Sequence, residues 1–380
     1  KYNYLIRVIA FFTFLAFFNK SQAQQDPVQK KRADTYFENK QYSLAITDYR
    51  QLLAQTPKNV ELNFKYATCI FYTDDIKLAA KYYDLILIQP EFPSQTYFYR
   101  GKIYQHEYNF SKAITFFTKY LELTPKKEQN LDAQSEINYC KQAQSVLKQP
   151  TSLKIISKNL YQGTDFYNHY TFTNKKYTFY TVDDAFQKFN SKYGYKPTYA
   201  FLRGMRYRIY ASYNENSESG KDLFIQKKGE DNEWGKPIRL CAQVNSNKDE
   251  EFPFYDEETG LLYFSSKGQN SIGGYDLFKV TYNIDQNTCV QVENLNFPFS
   301  SPNDDLFFIP DFGTGNAYFA SNRNGNASKT EVFKIQQDQK ELQFLFVSGV
   351  FSDLIDLQNK ELVITAKNKE SGETFGPIYT

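Results

Sequence analysis

Tyr263–Val280, YFSSKGQNSIGGYDLFKV, holds three glycines, one acid and four aromatic rings in eighteen positions. Two readings compete for it. Gly268, Gly273 and Gly274 would wrap a phosphate, with Asp276 as a catalytic acid or metal ligand. Or the stretch is strand, turn, strand. A phosphate loop opens a helix, whereas here strand-like residues stand on both sides. Recurrence decides the matter. YRIYASYNENSESGKDLFIQ (207–226) and NAYFASNRNGNASKTEVFKI (316–335) are versions of the same unit as 261–280. Tyr210, Phe264 and Phe319 align at spacings of 54 and 55. Asp222, Asp276 and Glu331 keep those spacings, as do Phe224, Phe278 and Phe333. The double glycine does not recur, so a hairpin explains the stretch and a catalytic loop does not.

Upstream of two of these units lies a second matched piece, NSNKDEEFPFYDEETG (245–260) and SSPNDDLFFIPDFGTG (300–315). Between units sits EDNEWGKPIRL (230–240), with the sole tryptophan, Trp234. One repeat therefore comprises about four short strands, the signature of a β-propeller blade. Residues 153–200 read as a divergent blade with YNHYTFTNKKYTFYT (167–181) as its strand pair. The count is four blades, and a larger ring stays open. A propeller is expected over 151–343.

A different period precedes it. From 26 to 126 the chain repeats every 34 residues. Ala33, Ala67 and Gly101 align, as do Tyr36, Ile70 and Tyr104, then Ala45, Ala79 and Ala113, then Tyr49, Tyr83 and Phe117. Small residues mark where antiparallel helices approach, aromatics fill between hairpins, and Pro57, Pro90 and Pro125 end the second helices. The period and these positions resemble the tetratricopeptide repeat, which implies an α-solenoid over 26–148, capped by a helix near 128–148. In that family the first helix of each pair lines the concave face. By register this implies a partner-binding surface of Phe37, Phe64, Phe71, Tyr72, Phe98, Lys102, Gln105 and His106. The competing reading is that these residues pack against the next domain. His106 alone reads as a surface residue.

Lys1 and Arg7 flank the apolar run VIAFFTFLAFF (8–18), and Ser21-Gln22-Ala23 has the form of a signal-peptidase site. Residues 1–23 read as a cleaved signal, and the protein as exported. The first cysteine is Cys69, so no lipidated cysteine is expected at that site. The formal charge is +2. Without the three cations and no acids of 1–23 it falls to about −1, which is no footprint for nucleic acid. Cys69 and Cys140 sit in helical patterns, and a Cys241–Cys289 bridge stays open. No CxxC occurs and the only histidines are His106 and His169, which disfavours a zinc site.

The blade motifs WGKPIRL, SPNDDLFFIPD and GGYDLF are similar to WD-like repeats of exported Bacteroidetes proteins. Combined with the tetratricopeptide array, they resemble the OmpA-family envelope proteins of that group, of the PorE-like type found in the type IX secretion system. That family continues into a carboxypeptidase-regulatory-like β-sandwich, whose start 346–380 resembles, and then into a peptidoglycan-binding domain. The resemblance implies a non-catalytic scaffold in the periplasm, associated with the outer membrane, for outer-membrane or secretion-complex proteins, linked to peptidoglycan only through a domain outside this sequence.

No G-x-S-x-G, H-E-x-x-H or phosphate-loop motif occurs. Glu250-Glu251 and Asp304-Asp305 would suit Ca²⁺ as oxygen ligands, yet they recur at one blade position. Such acids orient turns by accepting backbone N–H bonds. Asp222, Asp276, Glu331, Asp304, Asp305 and Trp234 are therefore expected to be structural, with no metal, cofactor or catalytic residue. The alternative is a propeller that takes a small ligand, a glycan or peptide, with or without hydrolysis.

Overall fold

The computed structural model describes residues 26–73, 76–146, 154–173, 178–181, 186–201, 206–215, 220–311, 313–324, 329–336, 363–367 and 374–379. The signal read at 1–23 lies outside the described residues, as does most of 346–380. Two compact units divide after Gln343. In the second, β14 (Val363–Lys367) pairs antiparallel with β15 (Thr374–Tyr379).

Seven helices open the first unit: α1 (Pro27–Glu38), α2 (Tyr42–Gln55), α3 (Val60–Thr73), α4 (Ile76–Leu87), α5 (Gln95–His106), α6 (Phe110–Leu123) and α7 (Ala133–Val146). Asp26 caps α1 by accepting the Val28 N–H at 2.9 Å, with Pro27 at the position where no N–H is needed. Asn109 caps α6 in the same way, at 3.3 Å from the Lys112 nitrogen. The 34-residue pattern is a burial pattern. Ala33, Ala45, Tyr49, Ala67, Ala79, Tyr83, Ala113 and Phe117 are all 0% exposed. Gly101 completes the small set, since a Cβ there would meet the Phe117 ring at 2.8 Å. The buried tyrosines satisfy their hydroxyls, Tyr49 by donating to Asp34 at 2.7 Å and Tyr83 through Thr68 at 3.0 Å. These are N-terminal helical repeats of tetratricopeptide-like form.

Antiparallel sheets follow. The strands are β1 (Lys154–Gln162), β2 (Thr178–Thr181), β3 (Thr198–Phe201), β4 (Tyr207–Ser212), β5 (Asp222–Lys227), β6 (Ile238–Arg239), β7 (Glu250–Asp256), β8 (Leu261–Ser266), β9 (Asp276–Asn283), β10 (Thr288–Asn294), β11 (Asp305–Asp311), β12 (Asn316–Ser321) and β13 (Lys329–Gln336). They pair as β2-β3, β4-β5-β6, β7-β8-β9-β10 and β11-β12-β13-β1. The last grouping is not sequential. β1 comes from the far end of the region and lies along the outer edge of β13. Its register matches the outer strands of the other sheets. Lys158 stands opposite Phe333, as Arg239 stands opposite Phe224 and Asn294 opposite Phe278.

One expectation is corrected here. Residues 167–181 are not a strand pair. Phe166–His169 is a 3₁₀ turn, and β2 pairs with β3 across a short helix, α8 (Gln187–Lys192). The aromatic alternation of 166–172 serves burial instead. Phe166 and Tyr170 are buried and pack with Phe307 in one apolar cluster.

The first strands of two sheets carry the same irregularity. β7 breaks register between Glu251 and Phe254, and β11 between Leu306 and Ile309. Phe252 and Phe307 there have φ of 50° and 53°. A left-handed phenylalanine costs on the order of 1–3 kcal/mol, and ring burial offsets it. Phe307 is fully buried, stacked on Phe252 at 5.2 Å. Cys241 and Cys289 form a disulfide, with Cα atoms 6.1 Å apart, joining the segment after β6 to β10.

Candidate functional site

The residues expected to line a concave groove divide in two. Phe98 is buried, packed on Phe117 and Tyr120 with ring centroids 5.4 and 5.7 Å away. Gln105 is buried too, and Phe64 is half-buried between Tyr83 and Tyr99. These three are corrected from partner surface to core: the rings of Phe64 and Phe98 fill the space between neighbouring hairpins, and Gln105 is 0% exposed among them. Phe37 is half-buried against Tyr42 and Tyr49, and Phe71 against Tyr99 at 5.4 Å. Only Tyr72 is open, 39% exposed and stacked on Tyr42 at 4.6 Å. Lys102 pairs with Glu136 of α7 at 2.9 Å.

The sheets cover the rest of that face. Ile272, in the loop between β8 and β9, is 2% exposed and belongs to the apolar core of the helices. Phe297 packs edge-on to Tyr108 at 6.2 Å, and the Tyr139 hydroxyl donates to the Lys267 carbonyl at 2.9 Å. Lys248 reaches Asp132 at 3.2 Å. A cleft of about 170 Å³ survives between Phe71, Tyr72, Lys102 and His106 on one side and Gly274, Pro302 and Asn303 on the other. His106 is thus a junction residue, which corrects the surface reading. Burial and then Lys102 push its imidazole down to about 3, opposed by a hydrogen bond with Asn303.

The double glycine of 263–280 builds this junction. A Cβ on Gly273 would sit 2.4 Å from the Pro302 Cα, and one on Gly274 would sit 2.3 Å from Asp304 Oδ1. Backbone cannot yield as a side chain can. Gly273→Ala is expected to cost about 3 kcal/mol by forced overpacking, measured as a shifted urea midpoint. An unshifted midpoint would show that the loop is not held against Pro302.

The recurring acids make recurring bonds. Asp222 takes both guanidinium arms of Arg239 at 2.7 and 2.9 Å, and Asp276 accepts Asn294 at 3.0 Å. Glu331 takes Lys158 at 3.0 Å. In each case the acid ties its hairpin to the outer strand. Glu250 accepts the Ser246 N–H and hydroxyl, and Asp305 accepts those of Ser301. Asp249 and Asp304 accept the N–H of Lys221 and Tyr275, both at 3.0 Å. Burial raises Asp276 well above the carboxylate range, helped by Asp305. Burial pushes Glu250 up to about 7, against the lowering pull of its neutral partners Ser246 and Ser266. Trp234 is half-buried beneath the Arg208 guanidinium at 4.5 Å.

A larger cavity, about 640 Å³, opens among the sheets, lined from β2, β3, β7, β11 and β13 and by Gly163–Tyr167. Glu251, in that lining, makes a buried ion pair with Lys221. Tyr195 and Tyr275 also bond Glu251, and Lys221 lies over their rings at 4.6 and 5.6 Å. The only sequence signal for this wall is that Lys221, Tyr275 and Thr330 each precede a recurring acid. Among the described residues no group of His, Cys, Asp and Glu is arranged to hold a metal ion, and no helix is long and apolar enough to cross a membrane.

No family model matches the chain, and no curated protein matches it. Among solved structures, it is similar to the first tetratricopeptide domain of Spaghetti (RPAP3) bound to the HSP90 peptide SRMEEVD. The two are 23% identical, over 32% of this chain and 95% of that one, with a TM-score of 0.27. The class defined by the chain's own packing is a helical-repeat array followed by antiparallel sheets.

Proposed function

We propose that this chain is a non-catalytic scaffold of the cell envelope, whose sheets close as a four-bladed β-propeller with the helical array seated on it. The observation that carries this reading is the placement of β1. A strand from the start of the region completes the last sheet, and Lys158–Glu331 repeats the tie made by Arg239–Asp222 and Asn294–Asp276. The acids that recur are spent on architecture. Export is supported by the leader-like N-terminus and by the disulfide, which persists in oxidising compartments. Outer-membrane or secretion-complex proteins are the partners this reading names.

The face left for a partner is the edge around Tyr72, beside Phe37 and Phe71. Cleavable cross-linking in intact cells, read by mass spectrometry, compares wild type with Tyr72→Arg. The expected result is at least an about tenfold loss of the cross-linked envelope partner, as for a central aromatic contact, at an unchanged melting temperature. Equal recovery from both proteins would overturn the assignment of that face.

A further inference from the structure

The 640 Å³ cavity has the size of a ligand site, and its chemistry selects among ligands. Charge comes first. Glu251 is neutralised by Lys221, and Asp304 is committed to the Tyr275 N–H at 3.0 Å and to Asn322 at 3.1 Å. Lys196 stands at the exposed rim. The lining itself carries Glu251, Asp304 and Lys196, and with Lys221 counted as the partner of Glu251 the four formal charges cancel, so the site favours neither an anion nor a cation.

Shape and hydrogen bonding come next. The floor is aromatic: Phe166 is buried and lies edge-on to Phe252 at 5.5 Å and to Tyr167 at 5.6 Å. Thr164, Thr181, Thr198 and Thr330 also line it, with the Thr198 hydroxyl donating to the Lys196 carbonyl at 3.5 Å. A hydroxyl both donates and accepts, so a set of them suits a ligand whose own groups do both. A peptide added as an extra strand needs a regular strand edge. β7 and β11 are bulged at Phe252 and Phe307, which takes their edges out of register there.

We propose that this cavity binds a neutral saccharide, its sugar ring lying on the aromatic floor and its hydroxyls bonded to the threonines. The Lys221–Glu251 pair, held by Tyr195 and Tyr275, fixes the Glu251 side of the cavity and so lowers the ordering cost of binding there. This site is separate from the Tyr72 edge, and sugar binding and partner cross-linking can fail independently.

Calorimetric titration of the whole protein with chitotriose, cellotriose and maltotriose tests the proposal, with inorganic phosphate and trilysine as charged probes. At least one trisaccharide is expected to bind with a Kd below about 1 mM, and neither charged probe to bind as tightly. The double variant Thr198→Val/Thr330→Val keeps volume and β-branching and removes two hydroxyls. It is expected to weaken that binding about tenfold, the scale of two lost hydrogen bonds, at an unchanged melting temperature. The proposal is overturned by no saccharide binding, by tighter binding of a charged probe, or by equal affinity in the folded double variant.

Discussion

Asp305→Ala is expected to lower the unfolding free energy by about 3–5 kcal/mol, the cost of removing one partner of a buried ion pair. Asp305 is 0% exposed. One oxygen accepts Arg323 at 2.5 Å, and the other accepts the Ser301 N–H and hydroxyl at 2.6 and 2.7 Å. Alanine would leave a guanidinium inside the sheets and a backbone N–H without its acceptor. Arg323 also donates to the Pro298 and Phe299 carbonyls at 2.8 and 2.9 Å. Losing its anchor would therefore loosen the segment beside Phe297, which packs on the helices. Glu250→Gln is the matched control. Glu250 holds the same position one repeat earlier with neutral partners only. Its replacement strands no cation, and the cost is expected to be about 1 kcal/mol, that of an altered hydrogen bond. Chemical denaturation of the two variants in parallel checks the contrast, and equal losses would refute the ion-pair account.

Removing the Cys241–Cys289 bond by double substitution with serine is expected to cost up to about 4 kcal/mol. With a sequence separation of 48, the bond shortens the unfolded chain's freedom by roughly that amount in the loop-entropy account. The bond also links two sheets, β4-β5-β6 and β7-β8-β9-β10, so its loss acts on their packing as well as on the unfolded chain. Dithiothreitol should lower the unfolding midpoint of the wild type and leave the double variant unchanged. A midpoint insensitive to reductant in both proteins would refute a stabilising bond. Cys69 and Cys140 do not confuse the experiment, because both are buried and burial pushes their thiols up to about 12.

The 34-residue helical repeat and the 54–55-residue sheet repeat were legible because a period in sequence records contacts made again and again. Ala33, Ala67 and Gly101 fall at one depth in successive hairpins. Asp222, Asp276 and Glu331 tie successive hairpins to an outer strand. What is made once leaves no period. The stretch 167–181 misled for that reason: its aromatic alternation resembles a strand pair, yet Tyr170, with Phe166 just before it, is drawn into the cluster around Phe307. The concave-face assignment failed at Phe64, Phe98 and Gln105 because register along a helix gives direction but not what lies opposite. Lys221 and Tyr195 carried no motif at all, and only the arrangement of strands brings them to Glu251.

By itself, then, the sequence determined the two periods, the elements that recur with them, and the small and aromatic positions on which each repeat packs. These follow from local propensity and nearest-neighbour burial, which act over a few tens of residues. Only the tertiary structure decided that β1 completes the last sheet, that Gly273 and Gly274 admit Pro302 and Asp304, and that Ile272 enters the helical core. It also decided that a polar, aromatic-floored cavity lies among the sheets. Each of these joins segments that are distant along the chain, where the gain comes from surface buried between whole elements rather than from any pattern within one.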